Sequence, residues 1–461
     1  MYRNSTRSNS RFLNFQNIIL FLIFFLSCTI SIAQPGKDGA FIVTGSNTVL
    51  NRYVRVTGNV IPGATTVTVD DITQLYRDGI TVPTGFSIST GSYANNLLQR
   101  GDLVMLYQSQ GATITTTNGM SYGTVTNKNG AGSYEFAYVE SVSGNTITLQ
   151  CGAKLSYSVT RNVQLVRVPQ YTTLTVNSSA SIVPIPWGDA VFGGLIGDAI
   201  RRRGGFVSIM ANSIVNNGSI NSNQAGFRGG IIDNNTSTSD DTYYTDFVST
   251  SSSISSEKGE SIAGFSSDYD GLGGRYGRGA PANGGGGGNA HNTGGGGGAN
   301  GGLVTNWRRG AGVMNSFGSC GSPGAWSLDP DYIENGNALT NSSGGGRGGY
   351  SFTFSNLDAC TVGPSYPAGF ISAGNPSANV LTAWTNDRRD AVGGLGGRPV
   401  QIANSQNEIF FGGGGGAGDG NNNANSNGGN GGGAVVLFVS NNITGSGTIQ
   451  ANGQAAPNTA G

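Results

Sequence analysis

The chain has 461 residues, room for two or three domains and a sizeable core. Glycine fills 79 positions without a strict Gly-X-Y period, which excludes a collagen-like triple helix. Charged residues make up only 11%, and 25 basic groups balance 25 acidic ones, so no long-range field draws the chain to nucleic acid or to an anionic membrane. The Arg-Gly pieces around Arg275, Arg278 and Arg347 resemble RNA-binding segments in texture alone, without the basic excess such binding needs.

Residues 1–33 read as a targeting segment. Arg3, Arg7 and Arg11 give a basic start, an apolar run follows from Ile18 to Leu26, and Ser31-Ile32-Ala33 is a small-x-small cleavage site before Gln34. The run is too short for a membrane span, and no later stretch is apolar enough to cross. A mature chain starting at Gln34 is expected outside the cytoplasm. The alternative is a lipoprotein anchored at Cys28, from the loose match Leu26-Ser27-Cys28. Cleavage leaves Cys151, Cys320 and Cys360. Export permits a disulfide, and Cys320 with Cys360 is the natural pair because both lie between glycine blocks. Three unpaired thiols are the alternative.

From Gln34 to about Pro169 the pattern is β. Thr65 to Val69 alternates, Asp102 to Tyr107 reads as a buried strand, and Tyr134 to Val142 leads through Ser143-Gly144-Asn145 into Thr146 to Leu149 as a hairpin. Asn162 to Val168 alternates with its apolar residues on one face. Residues 34–169 are therefore predicted to form a small β-sandwich or barrel, with one turn of helix at most at Ile72 to Leu75.

At Tyr171 the texture changes. Thr172 to Val176, a polar corner, and Ser181-Ile182-Val183 read as one rung of a parallel β-solenoid. A clearer rung runs from Gly205 to Ala211, through Ile214, to Asn217-Gly218-Ser219-Ile220-Asn221-Ser222-Asn223. It recurs as Gly433 to Val439, then Ile443, then Ser446-Gly447-Thr448-Ile449-Gln450-Ala451-Asn452, with one residue of gap before the isolated isoleucine. Stacking these two copies sets Phe206 to Ala211 beside Ala434 to Val439. Residues 170–230 then form the first part of the solenoid and residues 433–461 a returning rung, with 231–432 a glycine-rich insertion between them. Loop closure grows only slowly with length, so such an insertion is tolerated. Its glycine blocks, Gly284 to Gly288, Gly294 to Gly298, Gly344 to Gly346 and Gly412 to Gly416, are either linkers or places where backbones pack closely. The aromatics among them, such as Phe410 and Phe411, favour packing in a polyglycine-II-like bundle, skirted by those rings. The sequence stops at Gly461 soon after a rung, which predicts either a longer polypeptide or an exposed final edge.

Several short runs carry a family resemblance. They are Gln34-Pro35-Gly36-Lys37-Asp38-Gly39, Tyr171 to Val176, Arg202-Arg203-Gly204-Gly205, and Gly273 to Asn283 leading into the first glycine block. The chain resembles the N-terminal region of very large surface adhesins of gliding bacteria of the Bacteroidetes type. The resemblance spans nearly the whole mature chain but includes no catalytic signature. It implies a dedicated secretion system, display on the outer-membrane exterior, and a role in adhesion and gliding. Such exported proteins end in a C-terminal sorting domain, which this sequence lacks.

Chemistry is thinly represented. His291 is the only histidine, and between glycine blocks it has no orienting neighbour for base catalysis. Asp240-Asp241, Asp268 with Asp270, and Asp329 with Asp331 could offer oxygen ligands to calcium, though none fits an EF-hand or a calcium β-roll. Otherwise they are solvated turn residues, and no cofactor is expected. Trp307, Trp326, Trp384, Tyr243 and Tyr244 either stack on sugar rings or pad the glycine bundle. The expectation is an all-β, non-catalytic, exported adhesin or structural module. Its partners would be surface polysaccharide, other cell-surface proteins or further copies of itself. The rival is a β-helix carbohydrate-active enzyme working through two carboxylates.

Overall fold

A computed structural model describes residues 36–89, 91–119, 121–188, 202–232, 246–252, 256–289, 293–302, 307, 344–346, 348, 393–402, 407–420 and 426–455. The described part is nearly all β. In chain order the strands are β1 (Phe41–Val43), β2 (Thr48–Val49), β3 (Arg52–Arg55), β4 (Thr66–Thr68), β5 (Ser87–Ile88), β6 (Leu103–Gln108), β7 (Thr113–Ile114), β8 (Val125–Asn127) and β9 (Tyr134–Ser143). They continue with β10 (Thr146–Leu149), β11 (Val163–Val168), β12 (Gln170–Val176), β13 (Ser181–Ile182), β14 (Phe206–Asn216), β15 (Ser219–Asn221), β16 (Ala434–Thr444) and β17 (Thr448–Gln450).

One antiparallel sheet of six strands has the order β3-β11-β6-β9-β10-β4. Its two edges meet. Val56 bridges Val69, the Thr57 N–H donates to the Thr68 carbonyl at 2.8 Å, and the Asp70 N–H donates to the Arg55 carbonyl at 3.0 Å. Alternation then sorts the side chains. Val54, Val104, Leu106, Val163 and Leu165 fill the inside, while Tyr53, Leu103, Met105, Tyr107, Val166 and Val168 point the other way into a second core. That is why β6 reads as a buried strand, whereas β11, whose alternation suggests one apolar face, is buried on both. Arg167 breaks the apolar pattern at the mouth of the curled sheet. Its guanidinium donates to the carbonyls of Leu75, Asn95, Asn96 and Leu97, pairs with Asp102 at 2.9 Å, and lies 4.1 Å from the Tyr93 ring centre.

Two parallel sheets run beside it, in the orders β1-β12-β14-β16 and β5-β2-β13-β15-β17. Each long strand turns a corner into a short one, so β1 with β2, β12 with β13, β14 with β15, and β16 with β17 form four stacked turns. Val43, Leu174, Val176, Ile182, Ile209, Ile214 and Ile220 fill the space between the sheets. The register of the last two turns is the one the sequence repeat requires, with Phe206 opposite Ala434 and Ala211 opposite Val439. The extra residue is absorbed as a bulge, because Ser213 then faces Asn442.

One boundary differs from the sequence reading. Residues 34–169 do not form a single unit, since β1 pairs with β12 and β2 with β13, both in parallel. The curled sheet sits between the first and second turns. β1 and β2 are only three and two residues long, too short to show any parallel-turn pattern in sequence.

The glycine-rich segments lie side by side with their backbones hydrogen-bonded. The Gly285 N–H donates to Gly414, Gly286 to Leu395, Gly296 to Gly286, and Gly416 to Gly296, all within 2.7–2.9 Å. The contacts are close enough to require glycine. An added Cβ would lie 2.0 Å from the Gly296 oxygen at Gly285 and 1.9 Å from the Gly286 oxygen at Gly416. Backbone groups with no strand partner of their own are thereby satisfied inside the fold. Phe411 ties this region to both sheet systems. Its ring centre is 4.9 Å from Phe206, 5.3 Å from Tyr107, 5.4 Å from Trp187 and 5.6 Å from Phe227. Such pairs add roughly 0.5–1.5 kcal/mol each beyond the area they bury.

Candidate functional site

Most residues singled out in the sequence either carry the fold or lie outside the described residues. Trp326, Trp384, Tyr243, Tyr244, Asp240, Asp241, His291, Asp329, Asp331, Cys320 and Cys360 all lie outside. Cys151, set apart from the expected pair, is disulfide-bonded. Trp307 donates its Nε1–H to the carbonyls of Gly396 and Gly397, each at 3.1 Å, and the Arg398 guanidinium covers its ring at 3.8 Å. That arrangement pads the glycine segments. Asp268 takes the Phe265 N–H at 2.9 Å and pairs with Arg202 at 2.7 Å, while both Asp270 oxygens meet Arg275. Each carboxylate is committed to an arginine, so they are not poised together for calcium. Among the described residues no group of three or more His, Cys, Asp and Glu is placed to hold a metal ion. No helix among them is long and apolar enough to cross a membrane.

The strongest buried polar cluster centres on Glu260, which is fully buried. Its Oε1 accepts from Trp187 Nε1 and Gln110 Nε2, each at 3.0 Å, and from Arg228 Nη2 at 3.1 Å. Its Oε2 accepts from the Arg228 backbone N–H at 2.9 Å and from Arg228 Nε at 2.8 Å. Burial alone would raise this carboxyl. The charge and hydrogen bonds of Arg228, with Arg202 and Trp187, outweigh burial and hold it below the ordinary glutamate range. Glu260 thus joins the curled sheet, the parallel turns and the glycine segments in one knot.

Lys258 is a contrasting case. It is fully buried, donates to the Tyr276 carbonyl, and lies 5.2 Å from the Tyr122 ring centre. Burial pushes its ammonium well below the usual lysine range. A folded pKa below the unfolded one costs nothing above about pH 10.5, where lysine is neutral in both states, and the cost grows as pH falls. Lys258→Met is therefore expected to raise stability by about 2 kcal/mol at neutral pH. The gain should vanish toward pH 10.5, as read from denaturation midpoints across pH.

Among the faces open to solvent is the last turn with its flank. On β9, Tyr134, Phe136 and Tyr138 alternate with Glu135 and Ala137, so the three aromatics share one face. Tyr134 packs edge-on to Phe136 at 5.9 Å, and Phe136 edge-on to Phe438 of β16 at 4.6 Å. The Tyr138 hydroxyl reaches the Met210 sulfur at 3.8 Å. All three β9 rings are half-buried, and Phe438 is 40% exposed. The result is a row of aromatic edges on two rigid strands from different sheets. Spacing of i, i+2, i+4 could have revealed the β9 part, but the same residues read first as one arm of a hairpin. Phe438 could not be added from sequence, because it comes from a strand about three hundred residues away.

No family model matches the sequence, and neither does any curated protein. Solved structures with slight likeness include three phage tailspikes. One is the Gp54 tailspike of Acinetobacter baumannii bacteriophage AP22, solved in complex with A. baumannii capsular saccharide. It is 14% identical, with 40% of this chain and 27% of that one covered and a TM-score of 0.17. The tailspike gp49 of Pseudomonas phage LKA1 is 16% identical, with 41% and 28% covered and a TM-score of 0.16. The tailspike gp61 of Pseudomonas phage phi297 is 14% identical, with 42% and 30% covered and a TM-score of 0.15. This chain thus spans less than a third of the tailspikes it matches, and likeness of that degree carries no argument about what it binds.

Proposed function

We propose that the chain is an exported, non-catalytic surface module that binds glycan through the aromatic row of Tyr134, Phe136 and Phe438. In this reading the four turns are a short parallel β-solenoid. The glycine segments are a polyglycine-II-like bundle inserted in it, and both serve as a stiff mount. The observation that carries the reading is the row itself. Three rings on strands of two sheets are held at fixed spacing by ring-to-ring contacts of 4.6 and 5.9 Å, with one edge open to solvent. Rings so fixed lose little conformational entropy on contact with a sugar face, which favours weak, repeated binding of polysaccharide. Export follows from the basic and apolar N-terminal segment, and a role in adhesion and gliding from the family resemblance.

Pairing of carboxylates supports a role without turnover. Buried Glu260 and Asp102 and exposed Asp268 are each paired with arginine, so none of these three is a free acid or base. The test is binding to a panel of immobilised bacterial polysaccharides, followed by an assay for reducing ends or unsaturated products. Phe438→Ser is expected to weaken retention at least tenfold without lowering the melting temperature. Retention unchanged by Phe438→Ser would sink the glycan reading, and product release abolished by an Asp→Asn change would sink the non-catalytic one.

A further inference from the structure

The last turn is built like the inside of the stack yet faces solvent. Leu174 and Ile214 pair along one interior column with Ile443, and Ile182 and Ile220 along another with Ile449. The first two members of each column are 0% exposed, whereas Ile443 is 45% and Ile449 46% exposed. β16 and β17 are the edge strands of their sheets. Natural edges are usually blunted by charge, and here residues 420–461 contain no charged side chain at all. The bulge at Ser440 and Asn441 interrupts only the middle of β16 and leaves Ala434 to Val439 regular.

We propose that this face receives a strand–corner–strand segment of a partner polypeptide, stacked in parallel as a fifth turn. The segment's chemistry follows from the register already present. It is uncharged and carries a β-branched apolar residue opposite each of Ile443 and Ile449. It pairs with the backbone edge of β16 as β16 pairs with β14. A second copy fits this face poorly. A two-fold axis laying β16 against its own copy reverses the order along the turn. With eleven residues in β16 and three in β17, the short arms then find no counterpart. A parallel segment continues both arms. The segment would run along the strand that also carries Phe438 of the aromatic row, but Ile443 and Ile449 lie outside that row, so substitutions at these two isoleucines and at Phe438 tell the two readings apart.

The probe is a synthetic peptide copying residues 433–452, titrated into the full chain by calorimetry, with hydrogen exchange read on β16. Saturable one-to-one binding is expected, with new protection at Ala434 to Val439. Ile443→Asp and Ile449→Asp should each weaken it at least tenfold, about 1.4 kcal/mol, while leaving the melting temperature and polysaccharide retention unchanged. Absence of binding overturns the proposal, as does binding that both variants leave intact. Concentration-dependent dimers of the chain alone, dispersed by the same variants, overturn it in favour of a second copy.

Discussion

Gly416→Ala is expected to destabilise the protein by about 3 kcal/mol or more, and Gly418→Ala, two residues on, to be neutral or slightly stabilising. At Gly416 an added methyl meets the Gly286 oxygen at 1.9 Å, its carbon at 2.4 Å and the Gly287 nitrogen at 2.9 Å. All three are backbone atoms. The Gly286 carbonyl is itself held by the Gly296 N–H at 2.8 Å, and Gly296 accepts from Gly416 at 2.7 Å. No flexible side chain can give way, so the segments must separate. At Gly418 the nearest atom is the Thr293 oxygen at 3.6 Å, an ordinary contact. The alanine there only restricts the unfolded chain, for a gain of up to about 1 kcal/mol. Urea denaturation of the two variants reads the contrast directly. Equal midpoints would mean the glycine segments are not packed as described. Slow amide exchange in Gly284 to Gly288 and Gly412 to Gly416 is the matching result without mutation.

Glu260→Gln should cost roughly 3–5 kcal/mol, because it leaves the Arg228 guanidinium, whose side chain is only 11% exposed, without its buried counter-charge. Either way round, the new NH2 group faces existing donors, Trp187, Gln110 and Arg228 Nη2 at the Oε1 position or the Arg228 backbone N–H and Nε at the Oε2 position. The pH dependence carries a sign. The folded carboxyl titrates below the unfolded one, so its contribution is complete above the unfolded glutamate range and fades as pH falls through the folded value. The advantage of the native chain over Glu260→Gln is therefore expected to be constant near neutrality and to shrink below about pH 4. An advantage that grew on acidification would show that Glu260 is not held as an ion pair.

Local chemistry determined a good deal. Alternation in Asn162 to Val168, the turn at Ser143-Gly144-Asn145 and the isoleucines repeated at Ile214 and Ile443 are short-range patterns, and each marks a strand or turn that the structure contains. The paired copies even fixed a register, because apolar side chains that fill one interior must stack on their equivalents. Other features had no short-range signature. Nothing in Phe41–Val43 announces that it pairs with β12, since so short a strand is specified by what it meets. Asp268 and Asp270 read as free oxygen ligands until the fold set Arg202 and Arg275 against them. Glu260 drew no attention at all, for its partners Gln110, Trp187 and Arg228 are scattered along the chain.

The sequence by itself determined that the chain is β, that two of its turns stack, and that its glycines either pack or run free. Only the tertiary structure decided between those two, because close backbone approach is a property of segments far apart in sequence. The same holds for the open end of the stack. Ile443 and Ile449 look identical in pattern to Ile214 and Ile220, and only their places in the fold make two of them core and two of them surface.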